Sequence, residues 1–88
     1  MIVYKYPLEF GLNVQKLLIP SGACPLTVQL QNGEPVLWVK VNPDAPAQDV
    51  LVQFAWTGKD TLFLHNEIYV GTVQSGEGLV WHLFWMVP

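Results

Sequence analysis

Apolar and polar positions alternate along most of this chain, and glycine or proline breaks the alternation at short intervals. A period of two places successive side chains on opposite faces of a strand. An amphipathic helix instead needs apolar residues at i, i+3, i+4 and i+7. No window of about twelve residues shows that helical spacing free of proline and glycine. The pattern predicts an all-β domain, a small antiparallel sandwich or barrel of about six or seven strands built from hairpins.

Two hairpins can be placed residue by residue. In Cys24 to Val41, Asn32-Gly33 suits a type I′ turn, which needs positive φ at both central positions. With that turn Gln31 faces Glu34, and outward from it Leu30 faces Pro35, Val28 faces Leu37 and Leu26 faces Val39. That side is wholly apolar. The other side pairs Gln29 with Val36 and Thr27 with Trp38, with Lys40 beyond, and a slip of one residue would destroy the segregation. In the last hairpin, Ile68 to Gln74 and Leu79 to Trp85 flank Ser75-Gly76-Glu77-Gly78. One side sets Tyr69, Gly71 and Val73 against Phe84, His82 and Val80. The other sets Ile68, Val70 and Thr72 against Trp85, Leu83 and Trp81. Both sides being apolar, the ribbon is expected to meet a second subunit through Trp81, Leu83 and Trp85. Further strands are expected at Ile2 to Tyr6, Val14 to Ile19 and Val50 to Trp56, where Val50, Val52, Phe54 and Trp56 share a face. Residues 57 to 67 fit either a short strand or a lid loop.

Length and composition narrow the class. Eighty-eight residues make a single domain, 1–88, and 51% hydrophobic against 12% charged residues excludes disorder. A folded monomer of this size exposes roughly 5,000 Å². Four lysines and seven acids cover little of it, which again predicts a homo-oligomer. There is no arginine, and the net charge of −3 argues against a nucleic-acid polymer as partner. No run approaches the roughly 18 apolar residues of a membrane span, and Met1 to Phe10 lacks a signal-peptide pattern, so a cytoplasmic setting without membrane contact is expected. Cys24 is the single cysteine, so no intrachain disulfide forms.

Candidate chemistry is sparse. "WTGKDT", residues 56 to 61, resembles the end of a phosphate-binding loop, but that motif reads GxxxxGK[ST] and opens a helix. Here Gln53 stands where the first glycine belongs and Asp60 follows Lys59. A turn with Gly58 at positive φ is the simpler reading, and the alternative is an anion held by Thr57, Gly58 and Lys59. His65, His82, Cys24 and the scattered carboxylates lack metal-site spacing, so no metal or cofactor is expected. Ser21 and Ser75 lie in turns, Asp44 in "NPDAP" reads as turn chemistry, and Cys24 falls on the core side of its hairpin with no charged neighbour in sequence. No catalytic residues are assigned. Trp38, outward-facing beside Lys40, fits a subunit anchor, a stacking platform for a flat ligand, or packing under a loop.

"YKYPL", "PSGA", "VQLQNGEPVLWVKVNPDAP", a "TG" after a strand and "YVGTVQSGEGLVWHLF" follow one another in this order. In these motifs the chain resembles a family of short uncharacterised proteins, a domain of unknown function, encoded mainly by bacteriophages and prophages. It departs from them at Asn42, where members often carry aspartate, and in the added "WMVP" after Phe84. The resemblance implies a phage origin and the cytoplasm of an infected bacterium. By analogy with small oligomeric phage proteins, it suggests a non-enzymatic counter-defence sponge for a small anionic nucleotide-type immune signal. The ligand contacts expected are Trp38, Lys40, Trp56, Thr57, Gly58, Lys59, Tyr69 and His82. The alternatives are an inhibitor that docks on a host protein or an accessory phage structural protein.

Overall fold

A computed structural model describes residues 1–58 and 66–88. Seven strands run β1 (Ile2–Pro7), β2 (Gln15–Pro20), β3 (Cys24–Gln31), β4 (Glu34–Val41), β5 (Ala47–Trp56), β6 (Ile68–Gln74) and β7 (Val80–Met86). They form two antiparallel sheets, β1-β4-β3 and β2-β5-β7-β6. The all-β expectation holds, as a sandwich of one three-stranded and one four-stranded sheet.

Local chemistry explains the bends. Asn32 and Gly33 take φ of 53° and 81°, as the type I′ turn between β3 and β4 requires. Between β4 and β5, the Ala45 amide donates to the Asn42 carbonyl (3.1 Å) and the Asp44 amide to the Asn42 side chain (3.1 Å), with Pro43 inside the turn. That turn carries the chain from one sheet to the other. The 75–78 loop closes with the Ser75 amide donating to the Leu79 carbonyl at 2.9 Å.

The core lies between the sheets. Val28, Leu37, Val39 and Val41 from one sheet meet Ile19, Val50, Val52, Phe54, Leu83 and Trp85 from the other, all essentially without solvent contact. β3 and β6 come together along one side of the sandwich. There a side chain on Gly71 would place its Cβ 3.4 Å from a Val28 methyl, so glycine permits the close approach. The other sheet edges, β1 and β2, lie on the opposite side.

Two β-bulges overturn parts of the expected pairing. Thr27 faces Trp38 as predicted, but the register shifts at Leu26, so Pro25 faces Val39 and Cys24 faces Lys40. Leu26 (47% exposed) and Cys24 therefore point to solvent rather than into the core. In the second hairpin the shift falls at Val70. Gly71 then faces Leu83, Thr72 faces His82 and Val73 faces Trp81. Val73 turns inward, and Thr72 turns outward.

The predicted subunit anchors move as well. Trp81, Leu83 and Trp85 are buried within a single chain, at 6%, 0% and 2% exposure, because the three-stranded sheet covers their face. In this arrangement they offer no surface to a second subunit. The chain exposes 5317 Å², about what size alone predicts for a monomer, roughly 5,000 Å². The inner half of the ribbon's apolar surface is thus absorbed by the sandwich. Its outer half, with Phe84 and Met86, stays half-exposed.

Candidate functional site: a hydroxyl-ringed histidine on the four-stranded sheet

The period-two alternation of β7 sends Trp81, Leu83 and Trp85 inward, and so sends His82 and Phe84 outward. Neighbouring strands supply the partners of His82. Thr57, just past the end of β5, sets its Oγ1 2.7 Å from His82 Nε2. On β6, Tyr69 OH lies 3.0 Å and Thr72 Oγ1 3.3 Å from His82 Nδ1, and these two hydroxyls are also bonded to each other. The Tyr69 ring meets Phe84 edge-on at 5.4 Å. Gly58, with φ of 84°, turns the chain immediately after Thr57, as expected.

Each nitrogen of a neutral imidazole needs one partner, a donor at one and an acceptor at the other. Hydroxyls take either role, so the ring is satisfied in both tautomers. Thr57 and His82 have the spacing of a hydroxyl nucleophile and its base. The group behind the ring, however, is a pair of neutral hydroxyls rather than a carboxylate of the kind that orients and stabilises a catalytic imidazole. What the cluster offers chemically is a set of polar atoms beside an exposed aromatic ring, since Tyr69 is 51% exposed.

The seven expected ligand contacts that lie among the described residues do not form one site within a chain. Thr57, Gly58, Tyr69 and His82 gather on the outer side of the four-stranded sheet. Trp38 and Lys40 share the outer face of β4, in the three-stranded sheet on the far side of the sandwich. Trp56 faces inward, its ring 5.5 Å from that of Trp81, and is a residue of the core's end. The indole N–H groups of Trp56 and Trp81 are both buried without a hydrogen-bond partner among the described residues. Lys59 and His65 lie outside the described residues, as does most of the 57–67 segment. Thr72 and Phe84 belong to the site but were not expected there. Nothing in the sequence marks the bulge that brings Thr72 opposite His82.

Over residues 1–88 the sequence matches a domain family of unknown function, DUF7352. The chain belongs to this family. No curated protein and no solved structure matches it. Elsewhere in the DUF7352 chain, a cleft of about 50 Å³ is lined by Glu9, Phe10, Gly11, Asn13 and Gln15. It is shaped by Gln15, whose amide accepts from the Glu9 backbone N–H and donates to its carbonyl, at 3.0 and 2.9 Å. That space suits a few water molecules, whereas small-molecule sites run to roughly 300 Å³ or more. Among the described residues, no group of three or more His, Cys, Asp or Glu side chains is placed to hold a metal ion.

Proposed function

We propose that this DUF7352 domain is a non-enzymatic binding protein of bacteriophage or prophage origin. It acts in counter-defence in the infected cell, in assemblies of its own copies. Its recognition surface is the outer face of the four-stranded sheet around His82, and the target that suits this face best is a host protein. The supporting observation is that Tyr69, His82 and Phe84 gather on one face of the sheet with the hydroxyls of Thr57 and Thr72, and that Tyr69 is 51% exposed there. Exposed aromatic rings flanked by hydrogen-bonding groups are typical of protein contacts. The immobilised domain, challenged with lysate of infected cells, is expected to retain one host protein in stoichiometric amount, and Tyr69→Ala to lose it. Equal capture by both forms would overturn the assignment of this face.

A second reading is a sponge for a nucleotide-type signal, favoured by the hydroxyl–imidazole cluster beside the Gly58 turn. That site needs a second copy to enclose a ligand, and the same copy would bring in Trp38 and Lys40. Calorimetry against cyclic nucleotides and cyclic ADP-riboses tests it. Binding that His82→Ala abolishes, with the ligand recovered intact, supports the sponge. Recovery of a hydrolysed product points to an enzyme instead.

A further inference from the structure

We propose that β1 pairs with the β1 strand of a second copy, antiparallel about a two-fold axis at Tyr4. This joins two three-stranded sheets into one of six. The β1–β4 register runs from Ile2 opposite Val41 to Pro7 opposite Val36, and the Leu8 amide donates to the Pro35 carbonyl at 2.9 Å. Backbone groups alternate in direction along a strand. Leu8, Tyr6, Tyr4 and Ile2 therefore bond towards β4, while Val3, Lys5 and Pro7 direct theirs to the free edge. Pro7 has no N–H, so the donors at that edge are those of Val3 and Lys5.

More than one register uses both donors, and the side chains choose among them. With Tyr4 opposite Tyr4 of the second copy, Val3 faces Lys5 of the other strand twice over, giving up to about four backbone hydrogen bonds. On the core side Ile2 then faces Tyr6 and Tyr4 faces Tyr4, and on the outer side Val3 faces Lys5, so three side chains that the sandwich leaves exposed gain a neighbour. Ile2, Val3 and Tyr4 are 45%, 54% and 39% exposed in the single chain. Sliding two residues one way sets Lys5 against Lys5 and Val3 against a proline. Sliding two the other way runs the pairing off the strand at Ile2 and leaves Tyr6 unmatched. The lysine does not block the edge, because its Nζ leans across β4 to donate to Gln31 Oε1 at 3.0 Å. The strand is thus self-complementary in bonding and keeps its lysines apart, which favours a second copy over a foreign peptide.

Sedimentation equilibrium of the full chain over a wide concentration range tests the pairing. Val3 is exposed, so substitutions there leave the fold intact, which circular dichroism checks. Val3→Lys sets lysine opposite Lys5 twice and is expected to weaken dimerisation by about two- to thirty-fold. Val3→Glu sets opposite charges together and is expected to hold or tighten it. Opposite signs identify this register, whereas a Val3–Val3 pairing or a hydrophobic contact would be weakened by both. The inference rests on the self-association reading above, and the outcomes separate the two. A dimer indifferent to both substitutions overturns the β1 pairing alone. A chain that stays monomeric throughout overturns both.

Discussion

His82 shows how far single residues could be read in advance. That it shares a face with Tyr69 follows from parity, and its neighbours Thr57 and Gly58 follow from the turn after β5, whereas which face points outward needs the sheet order. Its contact with Thr72 follows from neither parity nor the turn, because one bulged residue separates the two outcomes. Tyr6 carries a more direct test. Burial, and secondarily the nearby Tyr4, raise its phenol above the usual value near 10. A raised folded-state value means the native protein keeps its proton after the unfolded chain has begun to lose it. The contribution to stability is then complete below about pH 10 and declines as pH rises towards and through the folded value. Denaturant midpoints measured from pH 8 to 11.5 should fall at the alkaline end for the wild type, and fall less for Tyr6→Phe. Identical alkaline limbs would mean that Tyr6 is not shielded.

At the scale of elements, all seven strands were legible because alternation is written in the side chains, and the Asn-Gly turn fixed the first register near the loop. The bulges were not legible, since an extra residue in an edge strand carries no compositional mark when it is itself apolar. Leu26 and Val70 both look like regular strand positions. Leu26 makes the difference measurable. Read by alternation it is core, yet the shift at that position leaves it 47% exposed, while Leu37 on the neighbouring strand is fully buried. Leu26→Thr should change unfolding free energy by no more than about 0.5 kcal/mol, whereas Leu37→Ala should cost roughly 2–5 kcal/mol. If Leu26→Thr costs as much as a core truncation, β3 runs straight and the bulge is absent.

For the whole molecule, the question is where the apolar surface of the last hairpin goes. Sequence alone shows a ribbon greasy on both faces and leaves two destinations, a second subunit or the rest of the same chain. Deciding between them needs the sheet order, because β7 is covered only once β5 and β6 flank it and the other sheet closes over Val28, Leu37 and Val39. Leu83 sits at the centre of that arrangement at 0% exposure. Leu83→Ala should therefore remove roughly 2–5 kcal/mol of stability through the cavity it leaves. In a domain of this length each kcal/mol lowers Tm by about 4–8 °C, so a drop of at least about 8 °C is expected. Its concentration dependence separates the two destinations. Stability gained from association grows with protein concentration by mass action, whereas stability from an intramolecular core does not. In the Val3→Lys background, where strand pairing is weakened, the drop caused by Leu83→Ala should be the same at micromolar and at near-millimolar protein. A penalty that appears only at high concentration would return Trp81, Leu83 and Trp85 to a subunit contact.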